Sequence, residues 1–180
     1  MNLYLVRHTK VDYPKGICYG QTDVGVMPSF PDEVETIKTQ LKGITFARVY
    51  ASPLTRCKKL VNEICPAENE IVFDARLMEL DFGDWEGIAW SDIEKTEIAQ
   101  VWFQDFLNTV PPGGESYKNM VERIRLFMND LASNSSEENI LIVCHSGSIR
   151  AFYSIIKGIS PQAAFDLELD YGQVCVFEFL

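Results

Sequence analysis

The hydrophobic and polar positions of the chain follow two periods that alternate along its length. Short, mostly apolar runs predict strands at residues 2–6, 48–51, 70–73, 139–144 and 173–179. The pattern between them predicts helices at residues 29–41, 52–64, 91–108 with a break, 115–133 and 148–157. Strands that alternate with helices in this way predict an α/β fold, a three-layer sandwich whose mostly parallel central sheet carries helices on both faces.

Local signals mark the ends of several predicted helices. Ser29 is a suitable N-cap, and the proline and acidic residues that follow it favour a first helical turn. Ser52-Pro53 has the same character and predicts that the second helix opens directly after its strand. Residues 8–29 and 74–90 are then predicted to be loops.

The two histidines of the chain, His8 and His145, each follow an apolar strand directly. Ligands of open α/β sheets bind beyond the carboxyl ends of the strands, so both side chains are expected at the functional edge. A single histidine at a strand end is equally well explained by a hydrogen bond to the backbone. Two histidines in equivalent places favour a catalytic or binding site.

Two arginines and a glutamate accompany the histidines. Arg7 precedes His8, and Arg56 follows the second predicted strand; guanidinium groups suit phosphate oxygens because they are always charged and bind in a bidentate manner. Glu79 lies in an acidic, aromatic segment, where burial would raise its carboxyl pKa toward the value that a general acid needs. The plainer interpretations are a surface arginine and a solvated acidic loop.

Composition and charge narrow the class of protein. The 180 residues have the length of one domain, and 26 acidic against 16 basic side chains give a net charge of −10. Such a chain is expected to repel nucleic acid and anionic membranes, and no apolar run reaches the ~18 residues that span a bilayer. The five cysteines lack paired spacing and residues 1–8 do not resemble a signal peptide, so we expect a cytoplasmic protein without a zinc site or a disulfide framework.

One segment allows a different chemistry. Cys144 and Arg150 have the spacing of the Cys-x5-Arg loop of cysteine-dependent phosphatases, between a predicted strand and a predicted helix. A thiolate at a helix N-terminus can act as a nucleophile. This interpretation leaves His8, Arg56 and Glu79 without a role, but the residues alone keep it open.

Together, these segments resemble the histidine phosphatase superfamily, which has the phosphoglycerate mutase-like fold. The resemblance runs nearly from end to end. It rests on five motifs in the order of the family: Arg7-His8, residues 52–56 (SPLTR), residues 77–87 (LMELDFGDWEG), residues 112–116 (PGGES) and residues 143–150 (VCHSGSIR).

The resemblance implies a role for each candidate residue. His8 would attack phosphorus and become a phosphohistidine, while Arg7, Arg56 and His145 hold the phosphoryl oxygens. Glu79 would protonate the departing alkoxide and then activate the water that cleaves the phosphohistidine. No metal or other cofactor is implied, and Cys144 becomes the buried last residue of a strand.

Two positions depart from the family pattern. Thr9 stands where the family usually has glycine after the nucleophilic histidine, and Ser146 stands where glycine is commoner. The β-branched side chain of Thr9 is expected either to crowd the turn or to donate a hydrogen bond. Neither departure removes a catalytic group, but both bear on the shape of the pocket.

Within the superfamily, residues 16–24 and 82–87 most resemble the alpha-ribazole phosphatases, which remove the 5'-phosphate from alpha-ribazole 5'-phosphate during cobalamin biosynthesis. This resemblance implies that Gly20 brings a backbone N–H near the phosphate and that Tyr19 and Gln21 line the pocket. Ordinary loop packing explains Tyr19 and Gln21 nearly as well.

Residues 88–110 are expected to supply the pocket for the leaving group. Trp90, Trp102 and Phe103 either stack on a flat base or belong to the core side of an amphipathic helix. The chain is short for a mutase of the superfamily, which favours hydrolysis. The expected partner is a small-molecule phosphate ester; a homodimer, a broad specificity for sugar or nucleotide phosphates, and a non-catalytic binding role stay open.

Overall fold

The computed structural model describes residues 1–133 and 138–179, which form seven strands and six α-helices. The strands are β1 (Asn2–Arg7), β2 (Val11–Asp12), β3 (Gly25–Val26), β4 (Arg48–Ala51), β5 (Ile71–Phe73), β6 (Asn139–Cys144) and β7 (Val174–Glu178). The helices are α1 (Phe30–Leu41), α2 (Thr55–Ile64), α3 (Trp90–Ile93), α4 (Glu97–Gln104), α5 (Tyr117–Ala132) and α6 (Ser146–Lys157). Each predicted strand and helix is present; the strands at residues 48–51 and 139–144 have the predicted ends, and the ends of the other elements are shifted.

Five of the strands form one sheet in the order β5-β4-β6-β1-β7. The first four of these strands run parallel, whereas β7 pairs antiparallel with β1 at the edge. The central strands β1 and β6 are almost continuously apolar because helices cover both faces of the sheet. The mostly parallel central sheet predicted from the sequence is confirmed.

Two hydrophobic cores lie on opposite faces of this sheet. Leu5 and Ile142 belong to the core that contains the apolar faces of α5 and α6. Val6 and Leu141, their neighbours along β1 and β6, belong to the core formed with α1 and α2. Successive side chains of a strand point to opposite faces, so each central strand contributes to both cores. The three-layer architecture follows.

The carboxyl ends of the three inner strands lie almost level. Arg7 at the end of β1 is opposite Cys144 at the end of β6, and β4 ends one position earlier beside β6. The next residues in the chain, His8, Ser52 and His145, therefore leave the sheet side by side. This edge of the sheet holds the candidate site.

The second helix begins later than predicted. Its first residue is Thr55, so the predicted opening at Ser52-Pro53 is wrong. The hydroxyl of Ser52 lies 2.8 Å from Nε2 of His145 and accepts a hydrogen bond from the backbone N–H of Leu54 at 3.4 Å, before the helix begins. The carboxylate of Asp23 instead accepts hydrogen bonds from the backbone N–H of Thr55 at 2.7 Å and from its hydroxyl at 2.6 Å. A cap supplied from a distant loop leaves no local sequence signal.

Several predicted loops contain additional structure. β2 and β3 pair within residues 8–29, and short 3-10 helices occur at Ala75–Leu77 and Gly83–Trp85 within residues 74–90. The predicted helix at residues 91–108 is divided into α3 and α4. In the described ranges, none of the helices combines the length and the apolar character that a membrane crossing requires.

Candidate active site

His8 directly follows β1 and is almost fully buried, with 2% of its surface exposed. Its Nδ1 lies 2.8 Å from the carbonyl oxygen of Thr9, an acceptor, so Nδ1 carries the hydrogen. Nε2 then keeps a free lone pair, as a nucleophile requires. Burial lowers the pKa of His8 well below the usual 6.5, and the charge of Arg56 lowers it further, so the ring is neutral near pH 7.

His145 is fully buried at the start of α6, beside His8. The two ring centroids are 5.1 Å apart, in an edge-to-face arrangement. Nδ1 of His145 accepts a hydrogen bond from Nε of Arg56 at 3.3 Å, which leaves the ring hydrogen on Nε2, facing Ser52. Burial and the charge of Arg56 lower the pKa of His145 well below its usual value. In the structure, His145 contacts Arg56 through this hydrogen bond. Direct contact of His145 with a phosphoryl oxygen stays a prediction.

Arg56 lies in the first turn of α2 and is fully buried, which excludes the surface position that is common for helix arginines. Its Nη1 donates to the carbonyl oxygen of Thr22 at 3.0 Å and its Nη2 to that of Gly20 at 2.6 Å. Within the described residues it forms no ion pair. Its charge is therefore available to an anion in the site.

Arg7 stands at the end of β1 and is held by two contacts. Its Nη1 donates to the carbonyl oxygen of Leu169 at 2.6 Å, and its guanidinium lies 3.9 Å from the ring centroid of Tyr171. Nε of Arg7 is buried and has no hydrogen-bond partner in the part of the chain that the structure describes. A buried N–H without a partner is costly, so this donor suits an oxyanion in the site.

Glu79 reaches the N-terminal end of α6. Its carboxylate accepts hydrogen bonds from the backbone N–H groups of Leu80 at 3.0 Å and Gly147 at 3.2 Å, and from the hydroxyl of Ser146 at 3.4 Å. A Cβ atom at position 147 would lie only 2.2 Å from Oε1 of Glu79, so glycine lets the carboxylate occupy this place and a larger residue would displace it. The third and fifth sequence motifs therefore meet in one contact.

Arg123 and Glu115 fix the backbone around Glu79, and sequence reasoning did not identify this role. Arg123 donates to the carbonyl oxygens of Met78 at 2.8 Å and Glu79 at 2.9 Å. Glu115 pairs with the same guanidinium at 2.6 Å. Glu115 belongs to the PGGES motif, which was the available signal, but its partner lies eight residues further along the chain.

Glu86 holds the loop that contains residues 19–22 in place through hydrogen bonds. Its carboxylate accepts hydrogen bonds from the backbone N–H of Gln21 at 2.8 Å and of Phe82 at 3.2 Å, and from the backbone and the hydroxyl of Thr22. Burial raises the pKa of Glu86, but these hydrogen bonds outweigh it and hold the pKa below its usual value. The carboxylate is therefore a structural element of the site.

The structure separates the three predicted binding residues of this loop. Tyr19 lines the cavity described below, whereas Gly20 and Gln21 are absent from the described residues that line it. A Cβ atom at position 20 would lie 1.9 Å from the carbonyl oxygen of Leu80, so this close contact explains the glycine. The side chain of Gln21 donates to the carbonyl oxygen of Glu79 at 3.1 Å. Contact of Gly20 or Gln21 with a phosphate stays a prediction.

A cavity of about 470 Å³ opens at these residues and has two parts. The polar part contains His8, Arg7, Arg56 and Glu79. The aromatic part is formed by Phe82, Trp90, Trp102, Phe106, Tyr117 and Phe165, whose rings contact one another. The described residues contain no cluster of three or more His, Cys, Asp or Glu side chains that could hold a metal ion.

For Trp90 and Trp102 the sequence left open a place in the leaving-group pocket or a place in the hydrophobic core, and the structure combines the two. Trp90 and Trp102 line the cavity, and each also packs against the buried ring of Trp85. Phe103, by contrast, is 53% exposed and is not among the described residues that line the cavity. Nε1 of Trp102 is buried and has no hydrogen-bond partner in the described ranges. Both tryptophans are therefore part of the cavity wall and of the aromatic packing around Trp85.

Cys144 is unsuited to nucleophilic chemistry. It is fully buried as the last residue of β6, and it is not one of the described residues that line the cavity. Burial raises the pKa of its thiol well above the usual 9.0, so the thiolate is strongly disfavoured. The cysteine-phosphatase interpretation has no support in this geometry.

The two departures from the family pattern have different surroundings. Thr9 is fully buried, and its hydroxyl has no hydrogen-bond partner in the described part of the chain, so the expected donated hydrogen bond is not formed there. Ser146 lines the cavity, and its hydroxyl is the group that contacts the carboxylate of Glu79. Ser146 therefore adds a polar contact to the site.

The two buried histidines predict a stability that falls in mild acid. Both pKa values are lowered in the folded protein, so below pH 6.5 the unfolded chain binds more protons than the folded protein. The free energy of unfolding should fall as pH drops below about 6.5, by up to ~1.4 kcal/mol per histidine for each pH unit. Urea unfolding at pH 7.5, 6.5 and 5.5 measures this slope.

A matched variant separates the histidines from other groups. His8→Gln should lose about half of the slope between pH 6.5 and 5.5, because the chain contains only two histidines. Equal stability of the unsubstituted protein at pH 7.5 and 5.5 would contradict the neutral, buried state of both rings.

Comparisons with known proteins agree with this geometry. The family model of the histidine phosphatase superfamily (branch 1) matches residues 3–180. A protein of Hydrogenobacter thermophilus named "Putative phosphoserine phosphatase 2" is 30% identical over 172 residues, which cover 93% of this chain and 84% of that protein. The 2,3-bisphosphoglycerate-dependent phosphoglycerate mutase of Brucella melitensis is 27% identical, with 97% and 90% covered.

Solved structures share the fold at low sequence identity. The alpha-ribazole phosphatase from Shigella flexneri superposes with a TM-score of 0.92 at 22% identity, covering 100% of this chain and 91% of that chain. The phosphoserine phosphatase from Entamoeba histolytica, solved with 3-phosphoglyceric acid, gives 0.85 at 22% identity, with 99% and 90% covered. These similarities confirm the phosphoglycerate mutase-like fold. Since the family model spans almost the whole chain, this protein belongs to branch 1 of the histidine phosphatase superfamily.

Proposed function

We propose that this phosphatase hydrolyses alpha-ribazole 5'-phosphate through a phosphohistidine on His8. The observation that carries the proposal is the two-part cavity, in which a cationic site for a phosphoryl group adjoins a wall of aromatic rings. A phosphate ester that fills both parts has a flat, aromatic leaving group. Alpha-ribazole 5'-phosphate has this form, because a ribose joins its phosphate to a benzimidazole.

In the first step, Nε2 of His8 attacks phosphorus and the ester P–O bond breaks. Arg7 and Arg56 stabilise the negative charge on the equatorial oxygens, which they can do without rearrangement because their contacts already fix them. Glu79 enters this step in its protonated form and gives its proton to the departing oxygen, so the leaving group departs as an alcohol. The products of this step are the free alcohol and the phosphohistidine.

In the second step, Glu79 takes a proton from water as the water oxygen attacks phosphorus. The Nε2–P bond of His8 breaks, inorganic phosphate leaves, and both side chains regain their initial states. The hydrogen bond from Nδ1 of His8 to the carbonyl oxygen of Thr9 keeps the same tautomer through both steps. His145 supports Arg56 through Nδ1 throughout.

The aromatic wall also favours hydrolysis over transfer between phosphoglycerates. Chain length does not separate the two activities, because this chain covers 90% of the Brucella mutase. A mutase has to hold a second anionic group close to the phosphoryl site. The leaving-group side of this cavity presents aromatic rings and one cation, Arg150, and apolar surface is a poor environment for a further phosphate.

The test is a comparison of kcat/KM values in the presence of EDTA. We expect about 10⁴ M⁻¹s⁻¹ or more for alpha-ribazole 5'-phosphate, and at least about tenfold less for phosphoserine, sugar phosphates and 3-phosphoglycerate, the last with and without 2,3-bisphosphoglycerate. Similar values for all compounds would indicate a broad-specificity phosphatase. Mutase activity with 3-phosphoglycerate, or turnover of no ester, would overturn the proposal.

Two neighbouring residues of α4 provide a matched pair for the leaving-group pocket. Trp102→Leu should lower the preference for alpha-ribazole 5'-phosphate over ribose 5-phosphate about tenfold, because Trp102 lines the cavity. Phe103→Leu removes an exposed ring outside the lining and should not change that preference. Thermal melts of both variants would show whether Trp102→Leu acts only through stability.

A further inference from the structure

Among the described residues, four of the seven arginines form ion pairs and three do not. The four that pair with carboxylates within 4.0 Å are Arg48, Arg76, Arg123 and Arg125. Within the described residues, Arg7, Arg56 and Arg150 form no such pair, and all three line the same cavity. In the proposed reaction Arg7 and Arg56 bind the phosphoryl group, whereas Arg150 has no role.

Arg150 is held so that part of its guanidinium stays unused. Its Nη2 donates to the carbonyl oxygen of Leu167 at 3.2 Å, and its Cζ lies 5.1 Å from the ring centroid of Phe165. Nε of Arg150 is buried and has no hydrogen-bond partner among the described residues. This N–H is shielded from solvent, so a ligand would meet the part of the guanidinium that lines the cavity, whose charge has no ion pair among the described residues.

The position of Arg150 lies between the two parts of the cavity. Arg150 lines the same cavity as Arg7 and Glu79 of the polar part. On the other side it contacts Phe165, whose ring packs 4.9 Å from that of Phe106 in the aromatic part. A ligand group beside Arg150 would therefore be the part of the leaving group that lies between the ester oxygen and the aromatic ring.

We infer that Arg150 is a specificity-determining residue whose guanidinium donates to an oxygen acceptor carried by the leaving group. This inference rests on the proposed function for the identity of the acceptor, which in alpha-ribazole is a ribose hydroxyl. A carboxylate beside the ester oxygen, as in phosphoserine, presents the same chemistry. The donor is not part of the phosphoryl site, so its effect depends on the leaving group.

The experiment measures dissociation constants in a His8→Ala background, where esters bind without being consumed. Two pairs of compounds isolate the acceptor: alpha-ribazole 5'-phosphate against phenyl phosphate, and phosphoserine against phosphoethanolamine. In each pair only the first member carries an oxygen acceptor beyond the phosphate ester. The Arg150→Met change is then introduced, with Arg125→Met as the control on an exposed arginine outside the cavity.

We expect Arg150→Met to weaken one first member ten- to a hundredfold more than its partner compound. Selective loss for alpha-ribazole 5'-phosphate supports the inference with a hydroxyl acceptor. Selective loss for phosphoserine supports it with a carboxylate and contradicts alpha-ribazole 5'-phosphate as the substrate. The two proposals therefore fail separately.

Three outcomes would overturn the inference. Equal weakening of all four esters would place Arg150 in the phosphoryl site or in the structural framework, and no weakening would leave its donor without a function. Failure of the His8→Ala protein to bind any of the four esters would overturn the inference together with the proposed function. Arg150→Lys, which keeps the charge but lacks the planar guanidinium, should lose selectivity as well and guards against misfolding of the methionine variant.

Discussion

The His8→Ala variant should lose turnover of every phosphate ester, by about 10⁴-fold or more. The reason is that Nε2 of His8 is the only histidine nitrogen near the phosphoryl site that both lacks a hydrogen and is free of a partner in the described structure. The measurement is kcat with alpha-ribazole 5'-phosphate and with p-nitrophenyl phosphate. Rapid quenching should trap a phosphoprotein that is labile to acid and stable to alkali, and the variant should not form it.

A chemical control addresses the cysteine alternative in the same experiment. Iodoacetamide at pH 7.5 should leave the activity of the unsubstituted protein unchanged, because Cys144 is buried and its thiol pKa is raised well above the usual value. Retained turnover in the His8→Ala variant would contradict the phosphohistidine mechanism. If iodoacetamide also inactivated the protein, the two results together would identify Cys144 as the nucleophile.

The Glu79→Gln variant should lose 10²- to 10⁴-fold in kcat with alpha-ribazole 5'-phosphate, because an amide cannot protonate the departing alkoxide. The result with p-nitrophenyl phosphate should differ in kind. Nitrophenolate leaves without a proton, so the first step stays fast while the second step lacks its base. We expect a burst of nitrophenolate equal to the enzyme concentration, followed by slow turnover, in stopped-flow absorbance.

Glu122→Gln is the matched control for this prediction. Glu122 is exposed on α5, and its carboxylate pairs only loosely with Arg125, at 3.5 Å. That variant should show the kcat of the unsubstituted protein with both esters and no burst. Equal loss of kcat for the two esters in Glu79→Gln, without a burst, would mean that Glu79 acts by positioning and not by proton transfer.

The pattern of apolar and polar residues was enough to predict the fold class. Continuous apolar runs such as Asn139–Cys144 occur where a strand is covered on both faces, so the runs themselves indicate a sheet between two layers of helices. Strand ends were equally readable, because each apolar run ends at a polar residue, although His8 and His145 are themselves buried. This is why His8 and His145 were placed correctly at one edge before any contact was known.

The start of α2 was predicted wrongly for a physical reason that a local pattern cannot reveal. Ser52 has the chemistry of an N-cap, but a closer partner, His145, takes its hydroxyl. The actual cap of the helix comes from Asp23, 32 residues earlier in the chain. When a polar group has two candidate partners, only the folded arrangement decides which bond forms.

The same limit applies within the active site. The sequence indicated Glu79 but could not show that Arg123 fixes its backbone, since that contact spans 44 residues. The resemblance implied that Gly20 approaches the phosphate, which stays a prediction, but it could not show that this glycine also lies against the carbonyl oxygen of Leu80. Both contacts join segments that are far apart in the chain, and no sequence pattern relates the two residues of either contact.

The sequence by itself thus determined the layers of the fold, the edge of the sheet that bears the site and the residue types available for phosphate chemistry. It could do so because the local pattern of apolar and polar residues indicates which strands are covered and where they end. Only the tertiary structure decided which groups are satisfied and which are left free. Arg150 illustrates the difference: its sequence position predicted a helix residue in a cysteine motif, and its unused Nε–H emerged only from the contacts of the folded chain. Hydrogen-bond satisfaction is a property of the whole arrangement, since every donor competes for acceptors across the fold.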